Sequence, residues 1–199
     1  MAMLQSHGKT TQGRFGQFRI AVLETQPASL EQLVSTVAEV GIDVCVKGPL
    51  RPNVVALVGQ TGCDAALVGI DAADTTDIQL TPDIDCPLVL CSGETGPDTV
   101  TVAQKIGAMA FLLKPVRREQ VMPTLALAAS LFREAQLLRR ALAERKTIER
   151  AKGLLMERQR TTEDAAFRWL RRRAMDTRTR IADVAREVLA AADEEAQPG

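Results

Sequence analysis

Gly107-Ala108-Met109-Ala110-Phe111-Leu112-Leu113-Lys114-Pro115 decides how the first part of this 199-residue chain reads. Ala110 to Leu113 is a short apolar run that stops at a Lys-Pro pair. Too short for a buried helix and closed by proline, it reads as a buried strand. Leu88-Val89-Leu90-Cys91, Ala65-Ala66-Leu67-Val68, Ile42-Asp43-Val44-Cys45-Val46 and Ile20-Ala21-Val22-Leu23 have the same character. Between the first two strands, Leu30 to Val40 places Leu33, Val34, Val37 and Val40 at helical spacing and ends at Gly41. Val54 to Val58 reads as part of a further helix. Asp74 to Asp85 is poor in helix signal, so a helix there is short or missing. Five strands alternating with helices predict a five-stranded parallel sheet covered on both faces, an α/β fold of the flavodoxin-like kind.

Ligands and chemistry gather at the carboxyl ends of the strands in such sheets. Those ends are Glu24-Thr25, Gly69, Ser92 and Lys114-Pro115. The constellation resembles the receiver domain of response regulators, with the Lys-Pro pair, an aromatic (Phe111) three residues before the lysine, and Ser92 at the family's hydroxyl position. The resemblance fails at the chemistry. It puts Gly69 at the phosphoacceptor position and leaves only Glu24-Thr25 where receivers hold a metal-binding acidic pair. Phosphoryl transfer to the protein needs a carboxylate nucleophile and a divalent cation, and glycine supplies neither. The expectation is a pseudo-receiver over residues 18–122. The competing reading makes Asp71 or Glu24 a displaced acceptor.

No stretch is long and apolar enough for a membrane span, and residues 1–17 have no apolar run for a secretory signal, so they read as a loose tail. A cytoplasmic protein is expected. Cys45, Cys63, Cys86 and Cys91 show no metal-ligand spacing, and the single histidine, His7, lies in that tail. Buried free thiols are expected, with no metal and no cofactor. No phosphate-cradling glycine loop or nucleophile–base pair is present, so no enzyme class fits.

After Pro115 the composition changes. Residues 1–130 hold 9 Lys/Arg against 13 Asp/Glu, whereas residues 131–192 hold 16 against 9, before an acidic tail at 193–199. The second part is a basic unit attached to an acidic one, which is either a solvated surface or a footprint for phosphate. Leu131, Ala135, Leu138 and Leu142 repeat at spacings of four, three and four, the seam of a coiled coil, and residues 123–146 read as a connecting helix that dimerises. Three amphipathic helices follow over 147–192. The first runs through Thr147 to Met156. The second starts at Thr161 or Thr162 as N-cap, with an apolar stripe of Ala165, Ala166, Trp169, Leu170 and Ala174. The third spans about Arg178 to Ala192, with Ile181, Val184, Ala185, Val188 and Leu189 on one face. Phe167, Trp169 and Met156 read as core. Gly153, in mid-helix, calls for a close helix crossing or a close approach by RNA.

Ile148-Glu149-Arg150-Ala151-Lys152-Gly153-Leu154-Leu155-Met156, then Glu163 to Arg171, Ala174-Met175-Asp176 and Val184-Ala185, resemble the ANTAR family of antitermination regulators over about residues 135–192. The resemblance implies a homodimer that binds stem-loops in nascent mRNA leaders and prevents a terminator hairpin. Arg150, Lys152, Arg171, Arg172 and Arg173 are the expected RNA contacts, with Arg145, Lys146 and Arg168 beside them. Arginine both bridges phosphates and stacks on unpaired bases. With the phosphoacceptor missing, control falls to a partner such as a ligand-sensing protein. Competing readings are a phosphorylation-switched regulator of the same family, a DNA-binding response regulator built on a helix-turn-helix-like bundle, and a protein-interaction module whose basic face is merely solvated.

Overall fold

The computed structural model describes residues 18–51, 58–70 and 85–196. Asp71, residues 1–17, residues 197–199 of the acidic tail, most of the helix expected over Val54–Val58 and nearly all of the segment from Asp74 to Asp85 lie outside the described residues, although residues 58–61 are helical and the acidic stretch from Asp193 continues as helix to Ala196. By its internal contacts the chain divides between Arg133 and Glu134 into two units.

In the first unit, β1 (Arg19–Glu24), β2 (Asp43–Pro49), β3 (Ala65–Gly69), β4 (Leu88–Ser92) and β5 (Ala110–Leu113) form one parallel sheet in the order β2-β1-β3-β4-β5. This is the doubly wound flavodoxin-like order. The central strands are buried along their whole length, which is why they read as unbroken apolar runs rather than as alternating patterns. Alternate residues serve the two faces. Ile20 and Val22 pack with Leu33 and Val37 of α1 (Pro27–Glu39), whereas Ala21 and Leu23 pack with Val102 and Ile106 of α2 (Pro97–Ile106). Gly107 ends α2 in the left-handed conformation that glycine adopts without steric cost.

The long helix α3 (Arg118–Gln159) begins earlier than the sequence suggests. The connecting helix is expected to start at residue 123. Instead Gln120 reaches back to accept from the Arg117 N–H at 3.3 Å while its own N–H bonds the Arg117 carbonyl at 2.9 Å, half of a capping box that starts the helix at Arg118. Val121, Leu125 and Ala128 then bury against the sheet, so the turns before Arg133 complete the first unit's core.

The second unit contains the remainder of α3, then α4 (Glu163–Thr177) and α5 (Ile181–Ala196). Thr162 caps α4 by accepting from Ala165 N–H at 3.4 Å. The third helix starts at Ile181 rather than at Arg178, because Arg178 is the left-handed residue (φ 54°) that terminates α4. The core is made of Ala151, Leu155, Ala166, Leu170, Ala174, Val184 and Ala185. Four alanines among seven residues let the helix backbones approach closely, and the buried stripe is correspondingly narrow. Trp169 lies about 100° round the helix from Leu170, outside that stripe, and is 40% exposed. Phe167 and Met156 are exposed as well. The reading of these three as core residues is therefore corrected.

Candidate functional site

At the carboxyl edge of the sheet, register alone puts Glu24 opposite Gly69, Gly69 opposite Cys91, and Ser92 opposite Leu113, next to Lys114. The Glu24 side chain is fully buried. Its Oε2 lies 2.8 Å from Lys114 Nζ, and Oε1 accepts from the Thr25 N–H at 3.0 Å and from Thr25 Oγ1 and the Gln26 N–H at 3.4 Å. No hydrogen bond of good geometry meets Oε2 among the described residues, so the ammonium is what compensates its charge. Ser92, also buried, turns its Oγ to accept from the Glu94 N–H at 3.2 Å. The Lys114–Pro115 bond is cis.

Gly69 explains this arrangement. A Cβ there would stand 1.8 Å from Glu24 Oε2 and 2.4 Å from its Cδ. The carboxylate of Glu24 thus fills the space into which a side chain at position 69 would project, and glycine is what admits it. The lysine is neutralised from β1 instead of from β3. These residues do not fit a divalent cation: the one carboxylate is committed to the ammonium, and among the described residues no three His, Cys, Asp or Glu side chains cluster to hold a metal.

The second unit carries the other candidate site. Arg145, Lys146, Arg150, Arg168, Arg171, Arg172 and Arg173 are all exposed, and among the described residues none of them joins an ion pair. Arg180 and Arg186, by contrast, are paired with Glu144 and Asp183. On α4, Phe167, Arg171 and Met175 follow at intervals of four and share one side, and Met175 is 70% exposed. Trp169, Arg172 and Arg173 lie on the other side of the buried stripe.

Lys152, expected among the RNA contacts, has a different setting. It is 8% exposed, its ammonium 2.8 Å from Glu149 and 2.6 Å from Glu163, and 6.0 Å from the centroid of the Phe167 ring. Hydrogen bonds to Glu149 and then Glu163 raise its pKa, and the same ammonium lowers that of Glu163. Lys152 ties α3 to α4 beside the Phe167 ring. The sign of the pH dependence follows. The Glu163 contribution is present above the ordinary glutamate pKa of about 4.3 and fades as pH falls through its lowered folded value. That of Lys152 is complete below about 10.4 and fades as pH rises through its raised value. Acidification is therefore expected to lower the melting temperature of the helical unit, and Glu163→Gln to flatten that acid limb, as circular dichroism melts would record.

Gly153 is exposed, and a Cβ added to it meets nothing within 4 Å. Among the described residues no close helix crossing accounts for this mid-helix glycine, although the residue costs about 1 kcal/mol relative to alanine.

A family model described as the ANTAR domain matches residues 136–189, within the second unit. The chain carries an ANTAR domain. The chain is 39% identical over 128 residues to the transcriptional regulatory protein PdtaR of Mycobacterium tuberculosis, strains CDC 1551 and H37Rv, an alignment that covers 61% of this chain. The chain spans 60% of the length of these relatives. Among solved structures, the signal receiver domain of a modulated diguanylate cyclase from Desulfovibrio desulfuricans is 17% identical, with a TM-score of 0.48 over 59% of this chain and 97% of that one. The chemotaxis protein CheY4 of Vibrio cholerae is 15% identical, with a TM-score of 0.46 over 56% and 98%. At these values neither speaks to the chemistry of this chain. Both ends of the Lys152 clamp, the seven exposed basic groups and Gly153 fall inside the ANTAR domain.

Proposed function

We propose that the protein is a cytoplasmic, non-enzymatic transcription antitermination regulator whose ANTAR domain binds stem-loops in nascent mRNA leaders. The observation that carries the reading is a set of seven exposed basic groups without an ion pair among the described residues, interleaved with part-exposed Phe167 and Trp169. Solvated helix faces ordinarily mix their charges and pair many of them. Here the guanidinium groups are left for phosphate, and two rings stand ready to stack on unpaired bases, the mode by which RNA loops are read. Arg150, Arg171, Arg172 and Arg173 are the main contacts, with Arg145, Lys146 and Arg168 flanking them and Lys152 acting as the residue that positions Phe167. Titration of the full chain with a two-hairpin leader RNA tests the reading, and duplex DNA as the second ligand separates it from the DNA-binding one.

The N-terminal unit is a receiver-like domain without the usual acceptor. Glu24 fills the place of that side chain and already neutralises Lys114, so aspartyl phosphate is not its switch and control passes to a partner such as a ligand-sensing protein. The dimer forms along α3 through Leu131, Ala135, Leu138 and Leu142. Leu138 is 66% exposed and Leu142 55% exposed, and Leu127, four residues before Leu131, extends the strip of uncovered leucines. Leu138→Glu with Leu142→Glu is expected to halve the mass seen by sedimentation equilibrium while leaving the helical signal in place. An unchanged mass would remove the seam from the account.

A further inference from the structure

We propose that Cys45 and Cys63 are a reversible thiol–disulfide pair, a site of oxidative modification at the amino end of the sheet. The parallel register of β1 and β2 slips between Ile20 and Ala21, which face Val44 and Val46 respectively. Cys45 is the extra residue of that β-bulge. Bulges bend a strand and re-aim a side chain, and this one turns Cys45 to the same face as Val46. There its Sγ meets that of Cys63 at 2.6 Å and donates to the Ile20 carbonyl at 3.3 Å. Cys63 arrives from the other flank, just before β3, which pairs with β1 from Ile20 onward. The two sulfurs therefore meet over the first residues of β1, joining segments 18 residues apart in the chain.

The two sulfurs are unequal, which fixes the order of events. Cys45 is partly exposed, whereas Cys63 is buried and its thiol is pushed up to about 12, chiefly by burial and then by its hydrogen bond with Cys45. A peroxide therefore meets Cys45 first. The Cys45 sulfur loses its proton and attacks one peroxide oxygen, the O–O bond breaks, and water leaves a sulfenic acid. The Cys63 sulfur then gives up its proton and attacks the Cys45 sulfur, the S–O bond breaks, and a second water leaves. Two thiols and one hydrogen peroxide become one disulfide and two waters. Cys91, on the opposite face of the sheet, takes no part. Glu24 and Lys114 lie at the other end of the strands and are left as they are.

The test is peroxide treatment of the reduced full chain, then a count of free thiols under denaturing conditions and peptide mapping. Trypsin with a protease cutting before aspartate gives Asp43–Lys47 and the peptide 48–63, each with one cysteine. The proposal predicts that free thiols fall from the four of the sequence to two. It also predicts that these two peptides run as one species lighter by two hydrogens, and that dithiothreitol separates them. Cys86→Ser should keep the linked species and Cys63→Ser should lose it. Four thiols remaining, a bond to Cys86 instead, or Cys45 halted at the sulfenic acid with Cys63 free would each overturn it.

Discussion

Replacing Gly69 by alanine is expected to destabilise the N-terminal unit by about 3 kcal/mol, far more than a methyl group on a loop would cost. The added carbon cannot coexist with a carboxylate oxygen 1.8 Å away. Glu24 would have to leave, giving up the N–H groups of Thr25 and Gln26 and its contact with the Lys114 ammonium, which is 15% exposed. Urea denaturation checks this, with a shift in midpoint and no change in slope as the expected form. Glu24→Ala alone should also be costly, because it takes the buried carboxylate away from the ammonium 2.8 Å from it. Since both changes break one arrangement, the double variant should lose less than the two losses added together. Additive losses would mean that Gly69 and Glu24 are not bound to each other in the way described.

The second large effect concerns the arginines that flank the buried stripe of α4. Arg171→Ala, Arg172→Ala and Arg173→Ala together are expected to weaken binding to a two-hairpin leader RNA on the order of 100-fold at moderate salt. The slope of log affinity against log salt should become shallower by roughly one unit for each phosphate contact removed. The variant should fold as well as the parent, because these side chains are exposed and carry no ion pair among the described residues. Gly153→Ala separates the causes in the same series. Alanine stabilises an exposed helix by about 1 kcal/mol relative to glycine, and among the described residues no neighbour resists the methyl group. A more stable protein that binds RNA less well is the expected outcome. Filter binding or fluorescence anisotropy would read the affinities, and circular dichroism the stability.

The sequence made the scaffold legible wherever one rule acted alone. Unbroken apolar runs marked the three central strands because both faces of the sheet are covered there, and the spacing of Leu33 and Val37 or of Val184 and Val188 marked helices. Other features depended on tertiary relations that no local pattern carries. Gly69 read as a missing acceptor, yet only the register of β1 against β3 reveals that Glu24 stands in its space. Lys152 looked like its basic neighbours, and Glu163, eleven residues away, is what takes it out of solvent. Trp169 seemed a core residue because hydrophobicity alone cannot tell a stripe of alanines that closes without it. Cys45 and Cys63 had no motif spacing, since a bulge rather than a sequence interval brings them together.

The most direct measurement is a binding titration of the purified full chain at fixed salt. Its ligands would be a two-hairpin leader RNA, the same RNA with scrambled loops, and duplex DNA of equal length. The account predicts submicromolar affinity for the intact leader, a loss of at least an order of magnitude on scrambling the loops, and only salt-sensitive, sequence-indifferent binding to the duplex, the mark of phosphate contact alone. Equal affinity for all three ligands, or tighter binding to the duplex, would contradict it.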